Sequence, residues 1–372
     1  MVHICDAFIV GGIESLLLDL CSGLQKHGVE STILFLYGQD EGTTANRRAV
    51  EVVPLKMARR TRVDLRGLLR LRRILLQLRP DLLHCHGYYA ALAPLLLRRV
   101  GLRIPIIYTV HASIFPGLQK SDFIIRWVLR RCEQVAAVAP EAAASVVSFT
   151  GGLVHPLVVL NGIDLSRMAP TKGFTRKAKR EALGIDEDSL VLLTVAALHF
   201  QKDHPTLFRA FAQALSRLGD ARLLVAGDGQ DRARLEGLVI QLGLQDRIIF
   251  LGQRSDVVDL LLASDIFVLP SRNEGMPISV IEACRAGVPV VATEVGGLAD
   301  LRRAGLDMLL TKPEDIASLR DAMLSLADPA RRQSMARRLP DHARAMFSIE
   351  QTAQGYLSVY RQIAIRAGSR TA

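Results

Sequence analysis

The stretch Asp265-Ile-Phe-Val-Leu-Pro-Ser-Arg-Asn-Glu274-Gly-Met-Pro-Ile-Ser-Val-Ile-Glu282 passes from one apolar run through a polar turn into a second apolar series. The first run reads as a buried parallel strand, because strands covered on both faces are apolar without alternation. Pro277 suits a first helical position, and Ile278, Val280 and Ile281 carry the helix onward. Glu274 therefore belongs to the loop at the carboxyl end of a strand, and Glu282 to the helix that follows. Between them a helix N-terminus offers free N–H groups and a partial positive charge, a seat for a phosphate. Two carboxylates around such a seat suit a sugar nucleotide. From the spacing alone, both glutamates serve equally well as helix-capping, solvated residues.

The same strand-and-helix grammar extends in both directions. Val2–Phe8, Ser31–Leu36, Asp81–Cys85, Pro105–Val110, Gln134–Val138 and Leu157–Leu160 read as strands, with helical faces at Ile13–Leu24, Leu65–Leu78 and Tyr88–Val100. After the turn Asn161-Gly162 the pattern restarts at Leu190–Ala196, Ala221–Ala226, Arg247–Leu251, Asp265–Leu269 and Val288–Ala292. Alternation of this kind predicts parallel sheets with right-handed crossovers, so the fold class is α/β with two Rossmann-like, doubly wound domains. Ligands of such sheets gather outside the carboxyl ends of the strands, and two domains of this kind create a cleft. Turns at those ends carry Gly11-Gly12, His111, Lys202, Gly227-Asp-Gly229 and Glu274. Thr171–Arg180, basic and turn-rich, reads as a mobile insertion.

Composition narrows the classes. The chain has 372 residues, 49% of them hydrophobic, which suits about two packed domains. No run of about 18 uncharged apolar residues is present, so no membrane span is expected. A basic leader is absent, so no signal peptide is expected. Five scattered cysteines without a Cys-x-x-Cys pair point to reduced thiols and a cytoplasmic setting. The net charge is +10, and residues 1–163 hold 19 Lys/Arg against 12 Asp/Glu. Residues 56–79 are the densest part: nine Lys/Arg, among them Arg59, Arg62, Arg66, Arg70 and Arg73, against one acid, Asp64. Beside them run Leu65, Leu68, Leu69, Leu75 and Leu76. This segment reads either as a docking face for an anionic membrane or as a solvated helix face. Nucleic acid fits less well, since no recognition motif or interleaved aromatics accompany the charge. His84 and His86 alternate on a strand, but no third ligand stands at a metal-site spacing, so packing is the expected role and no metal is assigned.

An ordered set of landmarks then covers some 300 residues. It comprises Gly11-Gly-Ile-Glu-Ser, Asp81-Leu-Leu-His-Cys-His-Gly, Tyr108-Thr-Val-His111, Val159-Leu-Asn-Gly-Ile-Asp164, Lys202-Asp-His-Pro, Leu224-Val-Ala-Gly-Asp-Gly229, Phe250-Leu-Gly-Gln-Arg-Ser-Asp256 and Pro270–Thr293. With these the chain resembles the retaining GT-B glycosyltransferases of family 4 (glycosyl transferases group 1). The resemblance implies transfer of a sugar from a nucleotide diphosphate donor to a glycan or lipid-linked acceptor, in cell-surface polysaccharide assembly. It implies Glu274 beside the transferred sugar, Glu282 on the ribose hydroxyls, Lys202 on the diphosphate, and His111 on the donor sugar from the opposite domain. Gly11, Gly12, Gly227 and Gly229 would let backbone approach the ligand, and Gly275, Met276, Pro277, Ile278 and Ser279 would line the phosphate seat. Arg254 would meet the nucleobase through its backbone. No cofactor or metal is expected, since a lysine and helix N–H groups take that part.

The family's pattern divides the chain into residues 1–163 plus 349–372, an acceptor-side domain completed by a returning last helix, and residues 164–348, the donor domain. Closure about Asn161–Asp164 would expel water. One position departs: Val195-Ala-Ala197-Leu carries alanine where the family has arginine. That leaves a catalytically silent sugar-nucleotide-binding partner as the alternative. An NAD-dependent oxidoreductase is disfavoured, because Ile9-Val-Gly-Gly-Ile-Glu lacks the Gly-x-Gly-x-x-Gly fingerprint.

Overall fold

A computed structural model describes residues 1–7, 12–38, 50–57, 64–114 and 122–368. Two compact units emerge, Met1–Asn161 with Ile349–Ala372, and Gly162–Ser348. The first holds strands β1 (Val2–Ala7), β2 (Thr32–Tyr37), β3 (Glu51–Pro54), β4 (Leu83–His86), β5 (Ile106–Val110), β6 (Gln134–Ala137) and β7 (Leu157–Val158). Their order in the sheet is β3-β2-β1-β4-β5-β6-β7, every pair parallel. The second unit holds β8 (Leu190–Val195), β9 (Ala221–Ala226), β10 (Ile248–Gly252), β11 (Ile266–Leu269), β12 (Val290–Thr293) and β13 (Leu309–Thr311). Its order, β10-β9-β8-β11-β12-β13, repeats that of the first six strands of the other sheet, again all parallel.

Both sheets therefore wind outward one way from their first strand and then reverse, between β1 and β4 and between β8 and β11. The expectation of two Rossmann-like doubly wound domains holds. The central strands β4, β5, β11 and β12 are buried along their whole length, which is why β5, β11 and β12 read as largely apolar runs, while β4 alternates apolar residues with His84 and His86. Two strands escaped the sequence reading. Glu51-Val-Val-Pro54 and Leu309-Leu-Thr311 lie on sheet edges and are too short to show a pattern.

The core of the second unit joins Leu207, Phe208 and Phe211 of the helix His204–Leu218 to Leu192, Leu223, Val225 and Val268 of the sheet. In the first unit the last helix, Ile349–Gly368, packs on the helix Gly12–Gln25, so closely at Gly23 that an added Cβ would lie 3.2 Å from Ala353 Cβ.

Thr171–Arg180 is not a loose insertion. Thr175 caps the helix Arg176–Ala182 by accepting from Ala178 N–H at 3.1 Å. The side chain of Arg180 is 2% exposed and donates to Ala263 O (3.0 Å), Glu187 O (2.5 Å), Ser189 O (2.9 Å) and Asp265 Oδ2 (2.8 Å). Asp265 Oδ2 also accepts from Val191 N–H at 2.8 Å, which ties the segment to the start of β8. A basic composition thus conceals a buried anchor. Removing one partner of a buried ion pair strands the other, at a cost of about 3 kcal/mol. Arg180→Ala is therefore expected to shift the urea transition of this domain, followed by circular dichroism, by about that amount; a loss below about 1 kcal/mol would mean that the anchor carries little.

Candidate active site

In the second unit, five loops leave the carboxyl ends of adjacent parallel strands. Lys202 follows β8, Gly227–Gly229 follows β9, Arg254 follows β10, Glu274 follows β11 and Gly296 follows β12. Lys202 and Glu274 thus hang from the two strands that flank the reversal, where doubly wound sheets leave room for a ligand. Lys202 Nζ donates to Glu274 Oε1 at 2.6 Å. Glu274 is buried, and the same Oε1 accepts from Ser271 Oγ at 2.6 Å. Among the described residues nothing else bonds either side chain. One carboxylate oxygen and two ammonium protons are left over.

The lysine's turn is stitched to the glutamate's loop. Arg272 N–H donates to Gln201 O at 2.8 Å, and the Arg272 guanidinium lies 4.3 Å from the Phe200 ring centroid. It also reaches Asp203 at 3.3 Å and Glu314 at 2.8 Å. Asp203 has φ 45°, a left-handed conformation unusual for a residue with a side chain, and Thr206 Oγ1 donates to its carboxylate at 2.9 Å. The Glu274 loop is held by main chain as well. Gly297 N–H donates to Gly275 O at 2.7 Å, and a Cβ on Gly296 would fall 1.7 Å from Glu274 O. Only glycine allows that approach.

The other expected residues find distinct places. Met276 and Pro277 are buried, and Pro277 is the N-cap of the helix Ile278–Arg285, so the N–H groups of Ile278 and Ser279 have no intrahelical acceptor. Glu282 lies half-buried on that helix. Gly227 and Gly229 press on the end of β8: an added Cβ would meet Ala196 O at 2.0 Å and Leu198 O at 2.4 Å. Arg254 grips Asp256 with two bonds of 2.7 and 2.6 Å, and Lys179 approaches the same carboxylate. These contacts, Arg254 first, hold the Asp256 carboxyl down at about 2. Gln253, Arg254 and Ser255 line a cavity of about 470 Å³. Ala197 is exposed in the slot noted above, with His199 beside it, also exposed. Gly11 lies outside the described residues; Gly12 is exposed and opens the helix Gly12–Gln25.

In the first unit His111, half-buried, stands just beyond β5, and its Nε2 is 2.9 Å from His86 Nδ1. His86 Nε2 is in turn 3.1 Å from His3 Nδ1. The expectation that His84 and His86 lack a third partner is corrected here. Register pairs His3 directly with His84, and His3, His84 and His86 bring nitrogen atoms within 4.8 Å of one another. A spacing search along one chain segment cannot see such a triplet, because β1 and β4 are 80 residues apart. Both nitrogens of His84 are engaged, with Tyr360 OH at 2.8 Å and Thr109 Oγ1 at 2.7 Å, and both of His86 are engaged by histidines. Both nitrogens of His84 and of His86 are thus committed to hydrogen bonding, whereas His3 Nε2 is buried without a partner among the described residues. Sequence reasoning also missed Ser271; its only signal was the Ser-x-x-Glu spacing to Glu274.

Two models of protein families match in tandem: Glycosyltransferase Family 4 over residues 10–167 and Glycosyl transferases group 1 over residues 175–344. A D-inositol 3-phosphate glycosyltransferase from Rhodococcus opacus (strain B4) is 34% identical over 310 residues, 77% of this chain and 68% of that protein. This chain belongs to the group 1, family 4 glycosyltransferases. A second relative of the glycosyltransferase is the UDP-Gal:alpha-D-GlcNAc-diphosphoundecaprenol alpha-1,3-galactosyltransferase of Escherichia coli, 27% identical over 71% of each chain. In fold, the glycosyltransferase matches Anabaena Alr3699/HepE, solved in complex with UDP and glucose, with a TM-score of 0.83 at 19% identity over 97% of this chain and 99% of the other.

The histidines give the glycosyltransferase a pH signature. Burial holds His3 down to about 3, helped by the nearby N-terminal charge, and holds His111 to about 4; His84 and His86 are also pushed well below the ordinary range by burial. His204 is lowered to about 4 by burial, then by Lys202. Folded-state values below the unfolded one mean that the unfolded chain takes up protons first, so stability falls as pH drops below about 6.5. Asp220 and Asp256, both lowered to about 2, add to the loss only below about pH 4. His3 alone is expected to cost about 2 kcal/mol at pH 5. Thermal midpoints should decline steadily from pH 7 to 5; a flat profile over that range is the contrary result.

Proposed function

We propose that this glycosyltransferase is a retaining enzyme that takes a nucleotide diphosphate sugar as donor and extends a glycan or lipid-linked glycan. The supporting observation is the Lys202–Glu274 pair at the reversal of the second sheet, ahead of an open helix N-terminus. The two spare ammonium protons of Lys202 and the N–H groups of Ile278 and Ser279 would receive the diphosphate, and Glu282 the ribose hydroxyls. As the bond from the anomeric carbon to phosphate oxygen breaks, negative charge grows on the leaving group beside Lys202, where a fixed donor is worth most. The free oxygen of Glu274 faces the complementary positive charge on the sugar. The acceptor hydroxyl attacks the anomeric carbon from the departing side and gives its proton to the leaving phosphate, so no separate carboxylate base is needed. A metal has no task left in this scheme. The Anabaena neighbour's UDP makes UDP-sugars the first donors to try.

Lys202→Ala is expected to lower kcat by about 100- to 1000-fold, the loss typical of one fixed charge-stabilising donor. Release of nucleotide diphosphate from a panel of UDP-, GDP- and ADP-sugars measures it. Binding of a sugar nucleotide by the wild-type protein without any turnover, with or without an acceptor, would favour the silent-partner reading instead. Ala197 is what makes that reading worth testing.

A membrane-surface setting inside the cytoplasm is the second half of the proposal. The helix Leu65–Leu78 carries two apolar stripes. Gly67, Leu71 and Leu75 are buried, while Leu65 and Leu69 are 68% and 66% exposed and Leu76 is 47% exposed, at helical spacing on the outer side. Arg66, Arg70 and Arg73 are interleaved with that outer stripe and exposed, although Arg70 also donates to Leu55 O at 2.6 Å. Arg59 and Arg62 lie outside the described residues. No helix among the described residues is long and apolar enough to cross a membrane. Leucines flanked by arginines suit shallow insertion among anionic headgroups, each arginine contributing about 1 kcal/mol. Co-sedimentation with phosphatidylglycerol vesicles is expected, weakened by salt and at least tenfold weaker for the Arg66→Glu/Arg73→Glu double variant. Binding indifferent to both would sink the idea.

A further inference from the structure

His3, His86 and His111 form a row of imidazoles bonded end to end, at 3.1 and 2.9 Å, running from the buried start of β1 to the carboxyl end of β5. His3 and His86 are buried, whereas His111 is half-buried and its Nδ1 has no protein partner among the described residues. At the inner end, His3 Nε2 is buried with no partner. We propose that His3 and His86 are positioning residues that lock His111 into the tautomer carrying its proton on Nδ1, so that His111 presents an N–H at the carboxyl end of the first unit's sheet, where ligands of such sheets gather. The activity readout below rests on the proposed function; the lock does not.

The argument is one of proton counting. A neutral imidazole has a single N–H, so His86 can donate through only one nitrogen and must accept at the other. Two patterns satisfy both contacts. In one, His3 Nδ1–H donates to His86, His86 Nδ1–H donates to His111 Nε2, and the His111 proton stands on Nδ1. In the other, every proton moves to the opposite nitrogen, and His3 Nε2 carries an N–H into a space without an acceptor. Orphaned buried N–H groups are the rarer defect in folded proteins, so the first pattern prevails. Burial keeps all three rings neutral, which the counting requires. His84 stands outside the row, held by Tyr360 OH and by Thr109 Oγ1, which is 3.2 Å from Tyr356 OH.

The test is a long-range proton–nitrogen correlation spectrum of the full chain with nitrogen-15 histidine, His111→Ala assigning the His111 signals. A protonated Nδ1 and bare Nε2 on His111 are expected; the reverse overturns the proposal whether or not the protein turns over a sugar. His86→Asn keeps an N–H donor near the former Nδ1, and His86→Phe removes it. With the best UDP-sugar, kcat/KM is expected to stay within about threefold for Asn and to fall about 10- to 100-fold for Phe, the size of one oriented hydrogen bond, with UDP affinity unchanged. Equal losses in both variants, or an unaltered His111 spectrum in the Phe variant, would count against the lock.

Discussion

Everything around the candidate site of the second domain depends on the parallel pairing of β8 with β11. That pairing sets side by side two strands separated by 70 residues of chain, and it places a cation and a carboxylate at their ends, 2.6 Å apart. Neither group gains much from the other where water competes. Glu274, however, is buried and shares its bonded oxygen with Ser271, so the geometry is fixed before any ligand arrives. Charges fixed in this way have little left to reorganise when a ligand binds.

The histidine-lined domain works by the opposite means. Its polar groups lie under the sheet's carboxyl edge, and they are kept neutral by exclusion of water. A row of uncharged rings conveys direction, not charge: what is decided at β1 reaches the end of β5 through alternate donors and acceptors. The tyrosines of the returning helix join the same layer through His84 and Thr109, so the last element of the chain closes over the first.

Much of this was legible in the sequence. Largely apolar runs at β5, β11 and β12 announced buried parallel strands, and Pro277 placed the start of its helix. Lys202 and Glu274 stood out because both sat in polar turns after such runs. What escaped did so for physical reasons. Edge strands β3 and β13 gain half the burial of central ones and so carry no long hydrophobic signature. Arg180 reads as surface charge until Asp265 and three carbonyls are brought around it. His3 gains its meaning only through strand register, which no spacing rule within one segment encodes. The leucines of Leu65–Leu78 looked like a single face because composition does not separate an inner stripe from an outer one.

The contacts of Gly227, Gly229 and Gly296 with carbonyl oxygens carry a consequence for divergence. At these three glycines the framework is main chain against main chain, and side chains that point away from it take no part in those contacts. Those neighbours are at liberty to vary, and substrate preference can be rewritten among descendants while the scaffold under the reacting groups keeps its shape.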